Sequence, residues 1–318
     1  MTDGSVTRDG LTAEQAIDRI EAALPPRPHD RRLHARGAVY DARFEPSDVI
    51  GRLTSVPSLT TETRAVVRFS NGGPYTADDR ARGVRGMAVK FLDGEQSVHD
   101  LVAASFRVFP SRNSEGFVEL VEALGSAEAD GGLGERLKGK LDAAGRLAGL
   151  LTRHPESRPG LKAFVARHAP ASFATCRYDG LHAFVFAGER PQPFRYRLIP
   201  QLGETDLDQR AAAGLAPDYL IGDLDDRIAT GAVAFTLVLQ LADPGDPTDD
   251  PSAAWPELRR LIPAGTLHIE TRSADEDHWQ NQVFDPSRLP DGIEPTADPV
   301  FTFRPHAYGV SASRRLSQ

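Results

Sequence analysis

The chain has 318 residues, 40% hydrophobic and 26% charged, with a net charge of −8; that is enough for a large globular core and argues against a general nucleic-acid surface, which needs a basic patch. A single cysteine, Cys176, rules out an intrachain disulfide framework and a cysteine-rich zinc site. The first ten residues are polar with no apolar signal core, and no apolar run is long enough to span a bilayer, so the expected setting is cytoplasmic with no membrane or nucleic-acid partner.

Taken in chain order, the first element is a helix. Thr12-Ala13-Glu14-Gln15 is a capping box, Ile17, Ile20, Ala23 and Leu24 follow at helical spacing, and Pro25 and Pro26 stop it. From Leu33 to Glu45 the period becomes two. Ala38, Tyr40, Ala42 and Phe44 share one parity, which predicts a half-buried strand with His34 on the same inward face and Gly37 as a site for a bulge. Further strands are expected at 65–70, 86–92, 182–187, 194–199, 232–241 and 266–272, rich in Val, Phe, Ile and Thr. Helices are expected at 115–124, 133–151, 160–167 and 218–230. There is no regular βαβ alternation, no repeat and no low-complexity linker. The expected class is α+β, with a closed or strongly curved antiparallel sheet. The domain division is a helical lead-in at 1–27 and one domain at 28–318.

At the end of the chain, Asp298-Pro299 closes a turn and Pro305 sits where a first helical turn would start. Arg304, Tyr308 and Arg315 are four and seven residues apart, so a helix puts all three on one face. Gly309 weakens that helix by roughly 1 kcal/mol relative to alanine, so packing or a ligand must hold it.

Some patterns carry less than they suggest. Gly134-Glu135-Arg136-Leu137-Lys138-Gly139-Lys140 nearly fits a phosphate-binding loop, but Leu141 stands where a Mg2+-binding Ser or Thr belongs, and the segment reads as helix. The acidic stretch around Asp246, Asp249 and Asp250 fits no calcium loop and reads as a solvated turn. Cys176 reads as a small buried apolar residue rather than a thiolate ligand. His34 or Tyr308 alone would be a satisfied structural residue; their company gives them weight.

That company has four parts. Arg304, one turn before Tyr308, would hold the phenol as a phenolate against its ordinary pKa near 10, as an iron ligand requires. Arg31, Arg68 and Arg315 each suit a charge-assisted pair with a carboxylate. An inward-facing His34 could take a proton from bound peroxide and return it to the leaving oxygen. Leu33, Phe69, Val102 and Phe109 would form an apolar cage. Together these describe a haem site.

The motifs then become specific. Leu33-His34-Ala35-Arg36-Gly37 resembles the distal histidine motif of the haem catalases, and Val67-Arg68-Phe69-Ser70 their R-F-S strand. Arg85 to Phe91 resembles their R-G-x-A-x-K-F strand, with Asp100-Leu101-Val102 in the expected place and His182 in a segment like their G-x-H-x-F strand. Phe284-Asp285-Pro286-Ser287, Pro290-Asp291-Gly292-Ile293-Glu294 and Arg304-x-x-x-Tyr308 with Arg315 complete the order. The matches run in family order from about residue 28 to 316, closest to the short branch, the catalase-related peroxidases.

The resemblance implies a catalase-like antiparallel eight-stranded β-barrel with surrounding helices and buried haem b. Tyr308 would be the iron ligand and Arg304 its partner. His34 would be the distal catalytic residue, with Arg31, Arg68 and Arg315 on the propionates. Ser105 stands where typical catalases carry a distal asparagine, which points to peroxidase rather than efficient catalase activity. The C-terminal helical region and the long N-terminal arm of large catalases are absent, so a catalase-type tetramer is not assumed. The expected function is a haem peroxidase that uses hydrogen peroxide or an organic hydroperoxide to oxidise a small organic reductant, as a monomer or small homo-oligomer. The alternatives are rearrangement or oxygenation of a hydroperoxide, disfavoured by Leu33 where that branch usually has threonine, and a haem carrier or sensor, disfavoured by His34.

Overall fold

The structure is a computed structural model that describes residues 6–7, 10–125 and 133–317, with side chains for all of these but 133–140. Its strands are β1 (Gly37–Pro46), β2 (Thr63–Asn71), β3 (Arg85–Asp93), β4 (Gln96–Ala104), β5 (Ala169–Pro170), β6 (Tyr178–Gly180), β7 (Phe184–Phe186), β8 (Gln192–Pro200), β9 (Asp206–Leu207), β10 (Val233–Leu241), β11 (Leu261–Arg272) and β12 (Ile293–Pro295). Its helices are α1 (Ala13–Ala23), α2 (Pro57–Thr60), α3 (Ser114–Gly125), α4 (Leu133–Arg153), α5 (Ser157–Val165), α6 (Gln209–Ala213), α7 (Tyr219–Thr230), α8 (Glu276–Asn281) and α9 (Pro299–Leu316).

Eight strands close on themselves. The order β10-β11-β1-β2-β3-β4-β6-β8 returns to β10 through a β8–β10 pairing, all antiparallel, and β7 and β12 extend from β8. Closure removes the exposed edges that an open sheet must otherwise protect. The β3–β4 hairpin turns on Gly94 at φ +58°, a conformation a two-residue hairpin loop asks of glycine.

Strand alternation divides the wall. Tyr40, Val67, Val89 and Leu101 lie side by side across β1 to β4 and face the barrel core. The next row outward is Val39, Arg68, Ala88 and Val102, followed by Gly37, Ser70, Gly86 and Ala104. The core is strongly aromatic. Phe69 has its ring centroid 5.9 Å from Tyr40, 5.6 Å from Phe173, 6.0 Å from Tyr178 and 5.9 Å from Phe235. Each such ring buried contributes roughly 1.5–3 kcal/mol.

Helices cover the outside. The Thr12 capping box is formed as expected, and Ile17 and Ile20 of α1 pack with Val118 and Val121 of α3 and Phe303 of α9. α4 is helical where the phosphate-loop-like stretch falls, while the side chains of 134–140 lie outside the described residues. No helix among the described residues is long and apolar enough to cross a membrane.

The structure corrects several expectations. β1 begins at Gly37, not at Leu33, and His34 precedes it with a left-handed φ of +55°. Gly37 is not a bulge; the register shift in β1 falls between Asp41 and Ala42. β4 is a nine-residue strand in a stretch with no apolar alternation. α9 starts at Pro299, capped by Asp298, which accepts from the N–H groups of Val300 and Phe301, so Pro305 lies inside the helix.

Candidate active site

A cavity of about 660 Å³ lies against the outer face of the barrel. Its barrel wall is made by the two outward rows, chiefly Arg68, Ser70, Gly86, Ala88, Val102 and Ala104. α1, α3 and α5 supply apolar walls, and α9 contributes Arg304, Tyr308 and Arg315. Most of this lining is hydrocarbon, so the few polar groups act in a dry environment where charge interactions are strong.

On α9, Arg304 Nη2 donates to the Tyr308 hydroxyl. The other arm of the guanidinium, Nη1, donates to His182 Nε2 at 2.7 Å, and His182 Nδ1–H donates to Asp298 Oδ2 at 2.6 Å. Because Arg304 can only donate, His182 must present a lone pair at Nε2 and carry its hydrogen on Nδ1. Burial lowers the His182 pKa despite Asp298, which keeps the ring neutral. Asp298 therefore both caps α9 and anchors the chain of bonds that ends on Tyr308.

On the barrel side, His34 Nδ1 is hydrogen-bonded to Ser70 Oγ at 2.9 Å. Gly86 makes room for the pair: a Cβ there would sit 2.6 Å from both His34 Nδ1 and Ser70 Oγ. Burial, then the charges of Arg68, Arg304, Arg31 and Arg85, pull the His34 pKa down to about 3. The imidazole is therefore neutral at physiological pH. His34 reaches the cavity through the positive-φ turn before β1; the parity of β1 would have sent it into the barrel.

Three guanidiniums share one edge. Arg31 Nη2 donates to the carbonyls of Gln280 and Gln282, and Arg315 to those of Gln280 and Asn281. Arg68 donates to Gln280 Oε1 at 2.8 Å and to the His34 carbonyl at 2.9 Å. Arg31 Nε is buried without a partner. Burial and mutual repulsion lower the pKa of Arg31 to about 10 and lower that of Arg68.

Of the residues singled out in the sequence, Arg31, Leu33, His34, Arg68, Val102, Phe109, Arg304, Tyr308 and Arg315 all line this cavity. Two do not. Phe69 is on the inward face of β2, fully buried among the core aromatics, one residue out of phase with Arg68 and Ser70. Ser105 lies past the end of β4, where its Oγ accepts from the Arg85 N–H at 2.8 Å and its N–H donates to the Arg85 carbonyl; Ala104 faces the cavity instead. Ser70 and Asp298 were missed as site residues. Ser70 was inside a quoted motif, and strand parity with Arg68 would have found it. Asp298 gave only a local signal, an Asp-Pro turn, since its partner His182 is 116 positions away. Cys176 is buried, donates to the Ser172 carbonyl and has its thiol pushed up to about 12 by burial. Asp246 and Asp250 of the acidic loop are paired with Arg259 and Arg112.

The family profile described as Catalase matches residues 8–318. A protein described as a catalase-related peroxidase from Mycolicibacterium paratuberculosis is 38% identical over 312 residues, covering 96% of this chain and 95% of its own. Another with that description, from Synechococcus elongatus, is 29% identical over 311 residues, covering 96% of this chain and 89% of its own. A solved fungal catalase superposes with a TM-score of 0.77 at 23% identity over 92% of this chain. The chain spans 60% of that structure, and the likeness is one of fold.

Proposed function

The chain belongs to the catalase family and is an oxidoreductase acting on peroxide, and from that premise we propose that it is a haem b peroxidase using hydrogen peroxide or an organic hydroperoxide to oxidise a small organic donor, with weak catalase activity at most. The observation that carries the reading is that Tyr308 on α9 and His34 on the barrel side enter one cavity, each with its own supporting bonds.

The residues fit haem. Tyr308 offers an oxygen ligand of the kind that ferric iron takes, held by a hydrogen bond from a guanidinium. Arg31, Arg68 and Arg315 offer unspent positive charge, including the orphaned Arg31 Nε, to a pair of propionates. Leu33, Val102 and Phe109 offer apolar contact to a macrocycle. When bound, haem supplies the iron centre on which peroxide is reduced.

The chain's own residues do the rest. Asp298 and His182 hold Arg304 in place, and Arg304 donates to the Tyr308 oxygen and so fixes where that oxygen points. His34 meets peroxide neutral. For its Nε2 to accept the peroxide proton, Nδ1 carries the hydrogen and donates to Ser70 Oγ. The proton is then available at Nε2 for the departing oxygen, which makes His34 base and acid in turn. β4 ends at the cavity in Ala104, so it brings no second polar side chain to orient a peroxide beside His34. That supports donor oxidation over disproportionation.

His34→Ala should retain haem while the peroxide reaction, read by stopped-flow absorbance, slows by about 10²–10⁴-fold. Unchanged kinetics would remove His34 from the mechanism. Donor oxidation that far exceeds oxygen release supports the peroxidase assignment, and the reverse ratio overturns it.

A further inference from the structure

The arginine edge poses an electrostatic problem. Among the described residues, none of Arg31, Arg68 and Arg315 is in an ion pair, yet all three are drawn out of water: burial, and then the charges of Arg31 and Arg315, lower the pKa of Arg68, and burial, and then the charge of Arg315, lowers that of Arg31. Like charges that share one edge repel, so hydrogen bonds from the surrounding chain must hold them together.

One residue touches all three. The Gln280 carbonyl accepts from Arg31 Nη2 at 2.8 Å and from Arg315 Nη1 at 2.7 Å, and the Gln280 side-chain oxygen accepts from Arg68 Nε at 2.8 Å. The amide nitrogen is committed too. It donates to the Gly37 carbonyl at 2.8 Å and to Glu276 Oε1 at 3.2 Å. These partners fix which way the carboxamide points, because a flipped amide would set N–H against N–H and oxygen against two acceptors. Gly37 completes the fit: a Cβ there would lie 2.8 Å from the Arg68 guanidinium carbon. Glutamate at 280 would fail twice. Its second oxygen would face the Gly37 carbonyl and Glu276, and its charge would cancel part of the cluster.

We propose that Gln280 is the positioning residue of the cofactor's acidic edge: it gathers Arg31, Arg68 and Arg315 into one cluster and leaves their charge for a dianionic ligand. The inference rests on the reading of this cavity as a haem site. Its chemistry is general, since a neutral amide organises cations without neutralising them, whereas a carboxylate does both.

The test compares two ligands on the full-length chain freed of haem: iron protoporphyrin IX and its dimethyl ester, in which both carboxylates are masked. Binding is followed by the Soret band, with no turnover involved. The wild type should prefer the free acid. Gln280→Glu should cut that preference by roughly tenfold or more, the scale of a hydrogen bond to a charged group, by weakening the free acid and sparing the ester. Gln280→Met keeps the backbone carbonyl and the neutral side chain but releases Arg68, and should cut the preference by about threefold, since Arg31 and Arg315 stay held. Equal weakening of both ligands marks a merely structural role and overturns the inference, as does an unchanged preference in either variant. Should Gln280→Glu not fold, the ratio for Gln280→Met decides. A wild type that prefers the free acid, with variants that keep that preference undiminished, leaves the haem reading standing and removes Gln280 alone. A wild type that binds the two ligands alike overturns both.

Discussion

The barrel interior and the cavity on its flank meet at three shared strands and have almost no chemistry in common. Facing inward, β2, β3 and β4 present Val67, Phe69, Val89, Phe91 and Leu101 to a core of hydrocarbon and aromatic rings. Facing outward, one residue over, they present Arg68, Ser70, Gly86, Ala88 and Val102. A period of two places a core residue and a site residue next to each other in sequence, so an error of one position moves a side chain across the wall. The interior is a stability device with aromatic packing on all sides. The cavity wall is thin in side chain, with glycine and alanine where a cofactor and a histidine need room.

Each region holds a histidine in poorly solvated surroundings, His99 buried and His34 half-buried, and acid should charge both. His99 stacks on Phe91 with centroids 5.4 Å apart and has Ser58 as its partner, and burial alone lowers its pKa to about 3. His34 also comes down to about 3, by burial and then by four arginines. Both start from an ordinary value of 6.5 in the unfolded chain. The folded-state pKa values are depressed, so the unfolded chain binds protons that the folded chain refuses. Their stability contribution is complete above 6.5 and is lost as pH falls from there towards about 3. At pH 4.5 each histidine should have cost roughly 2–3 kcal/mol. Urea unfolding of the cofactor-free chain between pH 7.5 and 4.5 reads this directly. His99→Leu should reduce proton uptake on unfolding by about one, and a pH-independent stability would break the picture of two dry regions.

A paired substitution sharpens the contrast across one wall. Phe69→Ala should cost about 3–5 kcal/mol of stability, since it empties a site ringed by four aromatics. The peroxide reaction per haem-loaded molecule should stay unchanged. Gly86→Ala, on the adjacent strand and the opposite face, should do the reverse. Its methyl group displaces His34 or Ser70, and a displacement of that kind costs about 100-fold in rate. Denaturation curves and stopped-flow traces on both variants check the pair. A Phe69→Ala variant that folds normally but reacts slowly would place Phe69 back at the site.

Much of this was legible from local pattern. The capping box of α1, the alternation of β1 from Ala38 to Phe44 and the Arg304–Tyr308 spacing each need only neighbouring residues, and each is present. What was missed depends on partners far away. β4 carries His99 and Asp100, which look like surface residues, yet Asp100 is buried against Lys90 at 2.7 Å and accepts from the Asp285 N–H, 185 positions on. Pro305 reads as a helix start, but the Asp298 cap set that start earlier because Asp298 is also held by His182. His34 was placed by a parity that stops at Gly37, since one residue with positive φ redirects what precedes it. The Phe69 assignment failed in the same way, through a motif read as a block when its alternate residues face opposite sides.

Ser105 is the smallest and most discriminating case. Its hydroxyl accepts from the Arg85 N–H, and that N–H would be left buried without an acceptor in Ser105→Ala. An unsatisfied buried donor costs about 1–3 kcal/mol, so stability should fall by that amount. The peroxide reaction should not follow, because Ala104, not Ser105, faces His34's cavity. Arg85 lines the cavity, and its charge is among those that hold His34 neutral. A rate loss of about tenfold or more, equivalent to roughly 1.4 kcal/mol in the barrier, would therefore not restore Ser105 as a group that touches peroxide. It would mean that the Ser105–Arg85 bond sets the position of that charge. Rescue by Ser105→Thr, which keeps the acceptor, separates this from general loosening of the β4 end. If Ser105→Ala reacts like the wild type, the wall between core and cavity is as sharp at the end of β4 as it is in the middle of β2.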